Sequence, residues 1–329
     1  MIETLSLRNF KALREVDVRL RPLTLIVGPN ASGKSTLLQA LAGITEFLST
    51  GVLFQTLGNP LSELKSFAAN GPIVFKCTGQ YAGEEMEFLL YPESYKFDGK
   101  WGDLEVRVPF SPEIARPAFV MSLDPKRMAA PSFLKETNQT LPSNGEGLST
   151  ILADLYLEHP SRYRDLLAQV RGVISSVQDL RVRRTAEKYE LLFDMVGAQG
   201  IPASAVSEGT LLTLGLLTLL VLPNPPQLVL IDDLERGLHP RAMGSLVKQF
   251  RLIQQQNPEL QIVATTHSPY LLDYVNADEV LLTSLSEDGY AAVKPLTDHP
   301  DYERWKDVMA PGEFWSTVGE RWVTEQPVK

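Results

Sequence analysis

The chain has 329 residues, 44% of them hydrophobic and 22% charged, a balance that suits a globular fold of one large domain or two ordinary ones. Its formal net charge of −9 excludes any overall attraction to DNA or to an anionic membrane, while leaving room for a local basic surface. The single cysteine, Cys77, excludes an internal disulfide and a cysteine-pair zinc hook within the chain, and a cytoplasmic setting fits that usage.

Glu3, Arg8, Lys11 and Arg14 crowd the start with no apolar run behind them, so no signal peptide is expected. Ile2, Leu5 and Leu7, then Val16, Val18 and Leu20, alternate as two strands joined around Asn9–Arg14. Leu23–Val27 is a continuous apolar run suited to a strand buried on both faces. Leu37, Leu38, Leu41, Ile44 and Leu48 then recur at helical spacing. Ile73–Val108 alternates with glycine breaks, the pattern of an antiparallel meander, and Pro109–Gly147 reads as loop-rich.

Helical patterning returns from Leu148 to Val177, broken at Pro160 and too short for a long coiled coil. Lys188–Met195 reads as a strand. The chain then alternates: a helix at Thr210–Leu222, a strand at Leu228–Ile231, a helix at Arg241–Gln256, a strand at Gln261–Thr265 and a helix at Pro269–Val275. Such alternation implies a parallel sheet covered by helices. The most apolar stretch, Leu211–Leu222, falls short of the roughly 20 residues of a membrane span and ends among Pro223, Pro225 and Pro226.

Gly28-Pro29-Asn30-Ala31-Ser32-Gly33-Lys34-Ser35 fits the phosphate-loop pattern, with a buried strand before it and an amphipathic helix after it. The glycines turn backbone N–H groups toward phosphates and the helix N-terminus adds its positive end. Lys34 is expected on the β- and γ-phosphates, and Ser35, followed by Thr36, on Mg²⁺. Leu228–Ile231 delivers Asp232 and Asp233 at a strand end: Asp232 suits the second Mg²⁺ contact and Asp233 the polarisation of an attacking water. Ser207-Glu208-Gly209-Thr210 opens an apolar helix and suits either an N-cap or a second phosphate nest. His267, at the end of a β-branched strand, suits the γ-phosphate or the attacking water. His239 fits a subunit junction or a packed turn equally. Arg181, Arg183, Arg184 and Lys188 form the densest basic cluster, more in keeping with a solvated face than a DNA track, since no aromatics interleave it.

In this order the motifs resemble the ABC-type ATPases, and more closely the heads of the RecF/SMC class and the ATPase domain of the OLD (overcoming lysogenization defect) family. Leu7-Arg8-Asn9-Phe10-Lys11 is similar to the opening strand and turn, Gly28–Ser35 to the Walker A motif and Val206–Thr210 to the signature. Leu228–Asp233 is similar to Walker B, Glu235–Pro240 to the D-loop and Thr266-His267-Ser268 to the switch-histidine motif. The resemblance implies an α/β head with a mixed or parallel sheet core, an N-terminal antiparallel β part and a helical insertion. It implies one domain over 1–329, with an insertion at 109–180 and a C-terminal extension at 276–329. It further implies an ATP-dependent homodimer in which Ser207 and Gly209 of one head bind the γ-phosphate held by the other's Lys34.

Two departures bear on activity. Asp233 stands where the family usually has Glu, which favours slow hydrolysis or an ATP-binding switch. No fold-sized segment follows the last expected core helix to organise a Toprim nuclease, so intrinsic nuclease activity is not expected; the preferred reading takes a separate effector or nuclease as partner. The resemblance places the function in DNA maintenance or anti-phage defence, with nucleic acid a potential ligand and no membrane. The alternatives are the nucleotide-binding subunit of an ABC transporter and a binding module with little turnover. Ser207–Thr210, unlike a Ser-Gly-Gly-Gln signature, and the Asn9-Phe10-Lys11 opening stand against the transporter. Gln55 and Gln80 are the candidates for the family's glutamine loop.

Overall fold

A computed structural model describes residues 1–50, 73–81, 84–90, 118–133 and 140–325. Its strands are β1 (Ile2–Phe10), β2 (Leu13–Arg19), β3 (Leu23–Val27), β4 (Val74–Tyr81), β5 (Glu84–Leu90), β6 (Phe119–Met121), β7 (Ser132–Phe133), β8 (Val177–Arg184), β9 (Lys188–Met195), β10 (Ala198–Pro202), β11 (Leu228–Ile231), β12 (Gln261–Thr266), β13 (Val280–Leu285) and β14 (Ala291–Pro295). The helices are α1 (Lys34–Thr50), α2 (Pro125–Ala129), α3 (Leu148–Glu158), α4 (Pro160–Val173), α5 (Glu208–Val221), α6 (Pro240–Gln256), α7 (Pro269–Leu272), α8 (Tyr302–Trp305) and α9 (Pro311–Val318). Among the described residues no helix is long and apolar enough to cross a membrane.

The chain divides into two compact units. The first comprises Met1–Phe119, Gln227–Leu234 and Glu259–Lys329. Its sheet runs β5-β4-β1-β2-β14-β13-β3-β12-β11. The β1–β2, β1–β4 and β4–β5 pairs are antiparallel. The β13–β3, β3–β12 and β12–β11 pairs are parallel. Every residue of β3 is buried, because neighbours flank it on both edges and side chains cover both faces. Leu37, Leu41 and Ile44 of α1 join Ile26, Leu230 and Val263 in one apolar core, with Leu5, Leu7, Phe10 and Phe75 from the antiparallel part. Phe10 meets Phe75 edge to face at 5.1 Å. Cys77 lies in the same core, and burial pushes its thiol up to about 12.

The second unit comprises Val120–Pro226 and Glu235–Pro258. Here α3 and α4 pack on the antiparallel strands β7, β8 and β9, with β10 paired to β9, and α4 packs in turn on α5 and α6. All residues of α5 after Glu208 are buried, as its near-continuous apolar sequence requires.

The structure departs from the sequence reading in several places. Residues 109–147, read as loop-rich, contain β6, α2 and β7. The helical pattern through Val177 stops at Val173, and Val177 opens β8, paired with Met195 of β9. Val173 and Val177, four apart, satisfy either period, and the partner strand decides. The helix expected to Val275 ends at Leu272, with tighter bonds from Tyr274 N–H to Leu271 and from Val275 N–H to Leu272. Residues 276–329, expected as an extension, place β13 directly beside β3 in the sheet. Residues 91–108 and Gln55 lie outside the described residues.

Candidate functional site

Parallel pairing brings three strand ends to one edge of the sheet. Val27 is level with Thr266 and Ile231 with Ala264, so Gly28, Asp232 and His267 all leave at the same end. Ligands of open α/β sheets bind at such carboxyl ends.

Gly28 has φ +155°, and a Cβ there would lie 2.2 Å from the Thr283 carbonyl of β13. Gly33 has φ +94°, and its Cβ would lie 2.7 Å from Ala291 Cβ of β14. Both positions therefore exclude any side chain. Ala31 sits at φ +61° between them, and Asn30 is exposed at the loop crest. Ser32 Oγ donates to the Pro29 carbonyl at 2.8 Å and shares a 2.5 Å hydrogen bond with Thr283 Oγ1. Buried Lys34 donates from Nζ to the Gly28 and Pro29 carbonyls at 3.0 and 2.8 Å. The ammonium thus rests against the loop that α1 projects from.

Ser35 Oγ donates to both Asp232 carboxylate oxygens, at 3.2 and 2.9 Å. Thr265 Oγ1 donates to Asp232 Oδ1 at 2.5 Å and accepts the Asp233 N–H at 2.9 Å. Leu234 N–H adds a bond to the Thr265 carbonyl at 3.0 Å. Thr265, wholly buried, is thus the hinge of the acidic pair. It went unread in the sequence, where a Thr at the end of a β-branched strand carries no distinguishing signal; Thr283 went unread for the same reason. Asp233 sits at φ +55°, turned out of the strand, with Oδ1 3.9 Å from His267 Nε2. Both side chains face solvent.

The hydroxyl of Ser35 and the carboxylate of Asp232 are hard oxygen donors that already share one position. That donor set fits Mg²⁺, which takes few protein ligands and completes its shell with phosphate and water.

In the second unit Ser207 is the N-cap of α5: its Oγ accepts the Thr210 N–H at 3.3 Å and lies 2.8 Å from Thr210 Oγ1. Gly209 lies against Gly237, where a Cβ would stand 1.9 Å from the Gly237 carbonyl. Gly237 has φ +71°, and Arg236 pairs with Glu208. His239 caps α6, accepting the Arg241 N–H at 3.2 Å on Nδ1. Arg181 pairs with Asp194 and Arg183 with Glu190 across β8 and β9, and Lys188 lies 4.5 Å from the Phe133 ring. The Gly200 N–H, then Arg181, hold Asp194 below the usual carboxylate range. A strand face of such matched pairs is a solvated surface.

Residues 23–273 match the family described as "AAA domain, putative AbiEii toxin, Type IV TA system". Septu protein PtuA of Bacillus thuringiensis is 30% identical over 105 residues, covering 30% of this chain and 26% of that protein. The OLD nuclease of Thermus scotoductus (strain ATCC 700910 / SA-01) is 49% identical over 41 residues, covering 12% of this chain and 8% of that one. Both matches span well under two thirds of those relatives. An SMC head solved with the C-winged helix domain of ScpA superposes with a TM-score of 0.62 at 16% identity, over 89% of this chain and 97% of that one. An SMC head with an extended coiled coil, derived from Pyrococcus furiosus, gives 0.59 at 14%, over 93% and 99%. The fold is that of these SMC heads.

Proposed function

The chain belongs to this AAA-domain ATPase family, and from that premise we propose an ATP-gated dimeric switch of the RecF/OLD-like class. The observation that carries the reading is the cluster Lys34, Ser35, Asp232, Thr265 and Asp233, gathered by three parallel strand ends around a glycine-framed loop.

On nucleotide binding Lys34 exchanges the Gly28 and Pro29 carbonyls for β- and γ-phosphate oxygens, while the N–H groups of residues 30–36 close around the chain of phosphates. Ser35 and Asp232 would hold Mg²⁺, which would neutralise phosphate charge. Thr265 fixes the Asp232 carboxylate and the Asp233 backbone together. Asp233 orients the attacking water and accepts its proton, with His267 Nε2 3.9 Å from its carboxylate. Ser207 and Gly209 supply the second phosphate contact to the nucleotide of another copy, so ATP joins the dimer and hydrolysis releases it. The short similarities to PtuA and the OLD nuclease support a setting in phage defence or DNA maintenance with a separate effector.

One methylene less at Asp233 shortens its reach by roughly 1.5 Å, a misplacement worth on the order of 100-fold in rate. This observation favours a second reading, an ATP-binding module with little turnover. Mass measurement with and without ATP tests the switch: Asp233→Ala retains the ATP-dependent dimer and Ser207→Arg loses it. A dimer and turnover both intact in Ser207→Arg overturn the assignment. Co-purification with membrane permease subunits overturns the proposed setting.

A further inference from the structure

The segment that follows His267 is gripped from the C-terminal part of the same unit. α7 starts at Pro269, two residues beyond His267, and its Leu271 and Leu272 are fully buried. α9 packs on it with Phe314 buried and Gly312 at the closest point. A Cβ on Gly312 would stand 1.9 Å from the Pro269 carbonyl and 2.6 Å from Asp273 Oδ1. Gly312 N–H donates to that same Asp273 Oδ1 at 2.9 Å. α9 has no N-cap side chain of its own, so this carboxylate from just after α7 satisfies an orphan donor and faces the positive helix end. One glycine thus interlocks with both ends of α7.

We propose that Gly312 and Asp273 are positioning residues for His267: α9 sets the place of the Pro269 backbone, and through it the histidine that stands 3.9 Å from Asp233. Gly312 has no unusual backbone angle, so a larger residue is excluded by the Pro269 carbonyl and not by conformation. Any partner that engages α9 gains a mechanical route to the hydrolytic edge. The inference rests on the proposed role of His267 in hydrolysis.

The test measures ATP turnover, nucleotide affinity and ¹⁵N-histidine NMR spectra on the full chain. Four histidines make the spectrum simple, and His267→Ala identifies its signal. Gly312→Ala is expected to lower kcat by about tenfold to a hundredfold while leaving ATP affinity unchanged, and to move the His267 signal. Asp273→Ala does the same; Asp273→Asn, which keeps an acceptor oxygen, restores kcat. Val323→Ala, a cavity variant at a buried site outside α7 and α9, is the stability control and leaves both kcat and the His267 signal in place. Gly312→Ala added to His267→Ala gives no further loss. An unmoved His267 signal in Gly312→Ala, or kcat losses equal to those of Val323→Ala, overturn the interlock. If His267→Ala itself leaves kcat unchanged, the hydrolytic role of the histidine fails, and the NMR shift still decides whether α9 positions it.

Discussion

The phosphate loop of the first unit and the Ser207–Thr210 segment of the second are both glycine-bearing turns that open a helix, yet their glycines answer different constraints. Gly28 and Gly33 adopt positive φ and also meet β13 and β14 from beneath. Gly209 is helical in conformation, and only the carbonyl of Gly237 forbids it a side chain. The first pair shapes a cradle; the second ties the start of α5 to the turn that follows Asp233 in the chain. A motif glycine therefore carries no single meaning, and substitution separates the two kinds.

The largest effect is expected at the cradle. Lys34→Ala lowers turnover by about 10²–10³-fold and removes nucleotide binding in calorimetry; full ATPase activity in that variant would overturn the site altogether. Gly28→Ala, driven into the Thr283 carbonyl, also loses ATP affinity. Gly209→Ala breaks the comparison open: it costs about 1–3 kcal/mol in stability and the ATP-dependent dimer, while each head still binds ATP. If Gly209→Ala weakens ATP affinity in the monomer as Gly28→Ala does, the two glycines share one task.

Asp233→Glu comes next, with turnover raised by about tenfold as the carboxylate regains its reach. A fall in turnover would mean the backbone at φ +55° has adapted to the shorter acid. The smallest effect lies outside both glycine segments. Burial, between the Phe314 and Trp322 rings, holds His299 below its usual value, with Asp301 opposing it. The unfolded chain then binds more protons than the folded one below an imidazole value of about 6.5, so this contribution is full above that pH and lost as pH falls through the folded value. The melting temperature of the wild type is expected to drop more between pH 7.5 and 5.5 than that of His299→Gln; equal drops would refute it.

Local patterning determined much by itself. The Leu23–Val27 run, the phosphate-loop spacing and the acidic pair after Leu228–Ile231 each depend on neighbours in sequence, where side-chain period and glycine placement are decisive. Lys188–Met195 was readable as a strand because its partner-independent pattern is strong. Tertiary structure decided what depends on distant partners. Val177 became a strand because β9 offered it hydrogen bonds. Val280–Leu285 became a central strand because β3 had a free edge for it, though its turn residues Ser286–Gly289 stood in the sequence. Thr265, Thr283, Gly237 and Gly312 gained their roles only when strands and helices far apart in the chain met them. Steric exclusion and hydrogen bonding act over a few ångströms in space, and the order of residues in the chain sets only the shortest of those distances.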